Sequence, residues 1–418
     1  MPDKTTIVLI LFAGNGSTTE QLDPLLKEIQ IGLRDPKTTN CPEIHCLYQR
    51  LTDIGQQFTI TSQTTDFDRT PSGGLTNFPP AGSIERSGSL SCQMTDFLNS
   101  VKQQLPASGP VHVIIGAHGI AGKGFHPTVL LRFLLLLLFS RLNSTWRRLS
   151  WRTRFRQLRQ NLFATELRPG AVAMTAGDVA LTLDDAELAL GILKPRLQAL
   201  VLHTCSLSAI ETMCALGTPS FHIACQNKLR QSMKLSKWFA TLASPQAIPV
   251  QVTTACLDSM KADSTNAIGC FSSHVNSSHE VTDALEKLNK LGNELFTLLT
   301  SNVPATVNAA ELAIIDGQEL SAAAGTTDIV AFCNSLSASS GISNSARCAA
   351  TAVAGKMQSL QLGLVKNDGS TPRRFGGISL YLPLRNQDSE SLKLLPESFR
   401  TGAMDWVKFA ELWAEPSP

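Results

Sequence analysis

The stretch Leu197-Gln198-Ala199-Leu200-Val201-Leu202-His203-Thr204-Cys205 decides the reading of this chain. It is almost continuously apolar up to His203, as in a parallel strand covered on both faces. The same grammar occurs upstream, where Val111-His112-Val113-Ile114-Ile115 ends at Gly116-Ala117-His118-Gly119. It occurs again at Ile7–Phe12, closed by Ala13-Gly14-Asn15-Gly16, and at Ser220–Ala224 after the break at Gly217 and Pro219. Helical periodicity fills the intervals. Residues 17–33 place Leu22, Leu25, Leu26, Ile29 and Leu33 on one face, with Ser17 or Thr18 as cap. Gln93–Gln104, residues 182–193 with a Thr182-to-Asp185 capping box, and Ser208–Leu216 follow. Strand alternating with helix predicts an α/β fold whose mostly parallel sheet is flanked by helices. Functional groups in such sheets gather at the carboxyl ends of the strands. His118 and Cys205 both fall just past such an end.

The remainder reads differently. Residues 60–92, rich in Thr, Ser, Gly and Pro, read as a long loop. Residues 281–301 predict a long amphipathic helix, and 306–316 and 327–335 two further ones. A late strand is expected at 375–384 and a closing helix at 403–413, with Trp406 and Trp413 at helical spacing. The expected organisation is a core over 1–275 and a helical C-terminal region over 276–418 that carries the returning strand.

Composition narrows the classes. The chain has 418 residues, of which 43% are hydrophobic, a globular composition. A net charge of +2 argues against a nucleic-acid partner. The short apolar run at Ile7–Phe12 lacks the basic start and cleavage site of a secretory leader, so a cytoplasmic location is expected. Ten scattered cysteines show no paired spacing, which argues against a zinc site or a disulfide scaffold. There is no P-loop, no dinucleotide-binding glycine fingerprint and no HExxH.

A thiol attacks a carbonyl as thiolate, so it needs a base or a cation beside it. An imidazole at the neighbouring strand end supplies one. A helix from Ser208 would turn its N-terminus toward the site and favour both thiolate and oxyanion. The backbone N–H groups of Gly119 and Cys205 are the candidate oxyanion donors. On the residues alone, the plain alternatives stay open: Cys205 as a packed small residue, His118 as a turn residue.

Several stretches, in order, resemble the clostripain family of cysteine peptidases. Ile114-Ile115-Gly116-Ala117-His118-Gly119 resembles its strand–His–Gly motif. Leu200-Val201-Leu202-His203-Thr204-Cys205-Ser206-Leu207-Ser208-Ala209-Ile210-Glu211 resembles its strand–Asp-x-Cys–helix motif. Thr327–Phe332 is similar to its Asp-(apolar)-x-x-Phe helix, and Gly377–Pro383 to its Gly-(apolar)-Ser-x-Tyr-x-Pro strand. The resemblance implies a caspase-like sheet, peptide-bond hydrolysis with His118 as general base or acid and Cys205 as nucleophile, and a protein or peptide substrate. It also implies self-cleavage of a zymogen between those two residues, and often a preference for Arg or Lys. Related readings are a signalling or defence protease of the CHAT or separase type, cutting a partner such as a gasdermin-like protein, and an inactive pseudo-peptidase that only binds.

Two features depart from the family. The family's usual Asp two before the cysteine is replaced by His203, and a neutral imidazole offers no fixed negative charge to a basic side chain. Asp178 and Asp258 are candidate substitutes, and His203 is equally read as a strand-end hydrogen-bonding residue. Residues 129–168 form a basic insertion that begins with the apolar run Val129–Phe139 and continues through many arginines. That run is about half of what a bilayer requires. The insertion reads as a surface excursion, as an activation linker, or as a basic helix touching a membrane or partner. No cofactor is expected. Asp184, Asp185 and Glu187 read as a solvated helix start, with calcium, which some members of the family use, as the alternative. Nothing in the sequence indicates an oligomeric state.

Overall fold

The computed structural model describes residues 5–13, 25–29, 31–33, 42–50, 55–60, 82–84, 90–119, 174–176, 179–204, 207–226, 235–236, 238, 241, 249–261, 269–301, 304–318, 326–367, 376–382, 392 and 395–414. Its centre is a sheet of nine strands. In chain order these are β1 (Thr6–Ala13), β2 (Glu43–Arg50), β3 (Gly55–Ile60), β4 (Gly82–Ile84), β5 (Val111–Gly116), β9 (Leu197–His203), β10 (Phe221–Cys225), β11 (Gly269–Val275) and β13 (Gln361–Asn367). Short strands outside it take the remaining numbers: β6 (His118–Gly119), β7 (Met174–Ala176), β8 (Val179–Leu181), β12 (Thr326–Asp328) and β14 (Ser379–Tyr381). The spatial order is β13-β11-β10-β9-β5-β1-β2-β3-β4. The five central strands, β10 to β2, are parallel, and the pairs at both margins are antiparallel. The expected strands at 7–12, 111–115, 197–202 and 220–224 are four of these five; the first three run one or two residues longer than expected and the last is shifted by one.

Both faces of this centre are covered, which is why its strands carry no wet alternation. One face packs on α1 (Leu90–Gln104) and α2 (Leu183–Leu190), through Met94, Phe97, Leu98, Ala186 and Leu190. Thr182 caps α2 by accepting from the Asp185 N–H at 3.1 Å, as the capping box predicted. The other face packs on helical residues 25–29 and 31–33 and on a helix running from Pro249 to Lys261, through Leu25, Ile29, Val252, Cys256 and Leu257. That helix, called α4 here, was not foreseen, and neither were β2, β3, β4, β11 and β13.

The third apolar unit is helical. It combines α5 (Ser278–Thr300), α6 (Pro304–Gln318), α7 (Ile329–Ala338), α8 (Asn344–Leu360), α9 (Glu397–Gly402) and α10 (Met404–Ala414). Ser277, Asp328 and Ser343 cap α5, α7 and α8 with their side-chain oxygens. The unit reaches the sheet through a single turn and a half, α3 (Ile210–Ala215), whose Ile210 and Met213 lie in the helical core. It also contributes β13 to the sheet margin. No helix among the described residues is long and apolar enough to cross a membrane.

Candidate active site

The parallel pairing of β5 with β9 sets Gly116 opposite His203, and the Ala117 N–H donates to the His203 carbonyl at 3.4 Å. The two strands that precede the candidate catalytic residues therefore end side by side; in sequence, His118 follows Gly116 by two residues and Cys205 follows His203 by two. Cys205 lies outside the described residues, as does Asp178. The backbone of His118 and Gly119 is described: it forms β6, paired with Thr175 and Met174 of the β7–β8 hairpin. The candidate oxyanion donors at Gly119 and Cys205 thus belong to a segment described in backbone only and to one outside the described residues.

His203 itself is fully buried. Leu200 and Leu202 belong to the α1/α2 face and Val201 to the opposite one, so alternation sends His203 to the face covered by α4. Tyr48 and Leu11 occupy the same cross-strand row toward one edge, and Gly116 stands next to it without a side chain. Among the described residues neither ring nitrogen finds a hydrogen-bond partner, and neither does the hydroxyl of buried Thr204. Burial pushes the imidazole pKa down to about 3, so the ring is neutral at physiological pH. The strand-end hydrogen-bonding role expected of it is not seen among the described residues. Asp258, the other candidate for a basic substrate side chain, sits on an exposed position of α4.

The expected helix from Ser208 begins two residues later. Ser208 and Ala209 are extended because their backbone groups are already committed. The Ser208 N–H donates to the Cys225 carbonyl at 3.0 Å, the Ser379 N–H donates to the Ser208 carbonyl at 2.8 Å, and Ala209 bridges Ser379. With only six residues and no side-chain cap at Ala209, α3 offers no developed positive N-terminus to the site.

A buried polar circuit surrounds this segment. The Ser208 and Ser272 hydroxyls lie 2.7 Å apart and each lies within hydrogen-bond reach of the Gly377 carbonyl, at 2.5 and 2.6 Å, so their two protons serve two of these three contacts at a time. The Gly377 N–H donates to Gln226 Oε1 at 3.0 Å, and Gln226 Nε2 donates to Asp328 Oδ2 at 2.8 Å. Asp328 also accepts the Gly376 N–H at 2.6 Å and the Ala331 N–H at 2.9 Å. Burial pushes the Asp328 carboxyl up from its ordinary range, against those hydrogen bonds. Gly377 has φ +87, and a side chain there would be driven into Gln361. In the first turn of α3, Glu211 accepts the Tyr381 N–H at 2.6 Å, and burial pushes its pKa up to about 7. The two late motifs of the sequence thus meet as the β12–β14 pair, with Asp328 opposite Ser379. Sequence reading missed Ser208, Gln226 and Ser272. The available signal was polarity in segments otherwise apolar, as at Ser272-Ser273 in β11.

Asp184 and Asp185 occupy the first turn of α2, and Glu187 accepts the Thr218 hydroxyl at 2.6 Å. No group of His, Cys, Asp and Glu suited to a metal ion occurs among the described residues. The cysteines with described side chains form no disulfide. Burial pushes the Cys214 pKa up to about 11 and those of Cys46, Cys256 and Cys333 upward as well, the behaviour of packed small residues.

No protein-family model matches the sequence, and no curated protein matches it. Solved structures do. A secreted C11 cysteine protease from Bacteroides thetaiotaomicron, "iotapain", is similar with a TM-score of 0.60 at 10% identity, over 98% of this chain and 99% of that one. An inactive zymogen C11 protease from Parabacteroides distasonis gives 0.58 at 12% identity, over 98% and 99%. A secreted C11 protease from B. thetaiotaomicron in complex with an irreversible peptide inhibitor gives 0.59 at 11%, over 96% and 98%. The chain has the caspase-like α/β fold of the C11, clostripain-family cysteine proteases.

Proposed function

We propose that the chain is a cysteine endopeptidase that hydrolyses peptide bonds with Cys205 as nucleophile and His118 as its general base and acid. The observation that carries this reading is the register at the sheet's carboxyl end, where Gly116 stands opposite His203 in a fold shared with C11 proteases. Attack by the thiolate gives an acyl-enzyme and releases the amine, which takes its proton from the imidazolium. Water then deacylates the enzyme with the imidazole as base. The N–H groups of Gly119 and Cys205 would receive the oxyanion.

We further propose a zymogen cut within the long excursion between these residues. Gly119 is paired with Met174, so the residues that flank 120–173 on either side are neighbours in one antiparallel pair. A nick between them would leave both new ends anchored, which supports this reading. One of the C11 structures of the same fold is itself described as an inactive zymogen. Neutral His203 supports a substrate preference other than a fixed-charge basic one.

Expression of the wild type beside Cys205→Ala tests both steps. Wild type splitting within 120–173 on a denaturing gel while the variant stays whole is the expected result. If both stay whole and a peptide library shows no Cys205-dependent cleavage, the peptidase reading fails. The same library fixes the preferred residue.

A further inference from the structure

We infer that Ser208 is a positioning residue, through which the buried circuit of Ser272, Gln226, Asp328 and the Gly376-Gly377 turn sets the nucleophile-bearing segment of the chain; the inference rests on the peptidase reading above. Ser208 follows Cys205 by three residues and is gripped at every polar atom. Its N–H is bound by Cys225 of β10, its carbonyl by Ser379 of β14, and its hydroxyl by Ser272 of β11 and by Gly377. These partners come from three separate parts of the chain, β10, β11 and the 377–379 stretch, and meet around Ser208. The backbone of residues 208 and 209 is thereby fixed relative to β10 and β14 at once.

The circuit is over-determined for a packing role. A buried polar network is stabilising only when fully satisfied, and apolar residues of similar size would fill the same space at lower cost. Each hydroxyl has a single proton, and both protons are used within the triangle Ser208–Ser272–Gly377, two of whose three contacts are hydrogen bonds at a time. The Gly376-Gly377 turn is held from both sides, by Gln226 at the Gly377 N–H and by the two hydroxyls at its carbonyl. Asp328 anchors the far end while capping α7. The result links the helical region to the segment that follows Cys205. Catalysis by a thiol depends on geometry at the sub-ångström level, so loosening this link is expected to act on rate rather than on substrate affinity.

The test uses the full chain as wild type, Ser208→Ala, Ser208→Thr and Ser272→Ala. Four quantities are measured: kcat and KM on the best library peptide, the rate of Cys205 alkylation by iodoacetamide from about pH 5 to 9 by peptide mass spectrometry, and the thermal midpoint. Ser208→Ala is expected to lower kcat about tenfold or more, with KM within about twofold, and to shift the alkylation profile. Ser208→Thr, which keeps the hydroxyl, restores most of the rate, and Ser272→Ala gives a smaller loss of the same kind. A wild-type kcat and alkylation profile in Ser208→Ala overturns the inference, as do losses that Thr does not restore and that follow the thermal midpoint. If Ser208→Ala fails to fold, Ser272→Ala carries the same comparison with the same two outcomes. If the wild type cuts no peptide, the peptidase reading fails separately. The alkylation profile then decides alone: a shift between wild type and variant supports positioning, and identical profiles overturn it.

Discussion

The carboxyl end of the sheet and the helical unit beside it solve the burial problem in opposite ways. In the helical unit, Leu288, Leu291, Phe332, Trp406 and Phe409 make an apolar interior. Its charges are paired at the rim, as in the clasp of the largely covered Lys356 on the partly exposed Glu280 and Asp283 at 2.5 and 2.6 Å. At the sheet end, His203, Thr204, Ser208, Glu211, Gln226, Ser272 and Asp328 are all buried. Buried polar groups cost free energy unless fully bonded, so their concentration at one sheet end marks a place where geometry outweighs stability. Damage to the first region should lower stability, and damage to the second should lower activity.

Trp406→Ala breaks the helical side most severely. The indole is buried against Phe332 and Phe409, with ring centroids 6.0 and 5.2 Å away. Its removal should cost about 3–5 kcal/mol in denaturant unfolding. Activity per folded molecule should hold, and a loss of kcat without a loss of stability would erase the distinction.

Acid should separate the two regions next. Burial pushes the pKa of His112 and His222 down to about 4 and that of His203 and His274 to about 3. The unfolded chain binds these protons below about pH 6.5, so stability is present above that pH and is lost as pH falls toward 4. Each histidine accounts for up to about 1.4 kcal/mol per pH unit. The helical clasp behaves differently, because hydrogen bonds from Lys287 and Lys356 hold Asp283 down to about 2. Hydrogen exchange at pH 5 should show β5, β9, β10 and β11 losing protection before α5 and α8. Simultaneous loss would contradict this.

Much of this contrast was readable in the sequence, and the part that was not has a physical cause. Periodicity located α5, α7 and α10, and unbroken apolar runs located β1, β5, β9 and β10. Local pattern suffices where burial is the only constraint. The start of α3 was misplaced because Ser208 and Ala209 spend their backbone groups on Cys225 and Ser379, partners no local window contains. Strands β11 and β13 escaped because Ser272, Ser273, Gly363 and Lys366 break the apolar pattern at a sheet margin. Ser272 is polar for a tertiary reason, its bonds to Ser208 and Gly377. The candidate pair itself was legible as two strand ends, while the circuit behind it required the fold.

Smaller effects sharpen the comparison. Glu211 has its pKa pushed up to about 7, so its contribution is full below its unfolded value and is lost as pH rises through 7. Glu211→Gln keeps an acceptor for the Tyr381 N–H, and its thermal midpoint should change less than that of the wild type between pH 5 and 8.5. An unchanged pH slope would refute a buried ionising Glu211. Least of all should be Lys356→Met, since both its partners are solvent-accessible. Its small destabilisation should shrink further with added salt, and a large salt-independent loss would show that the clasp is more than a surface pair.

The most direct measurement is covalent labelling of the purified chain with a peptidyl electrophile, followed by mass-spectrometric mapping of the adduct. A single adduct on Cys205 that is lost in His118→Ala is the predicted result. No adduct at Cys205, or equal labelling with His118 removed, would contradict the catalytic pair.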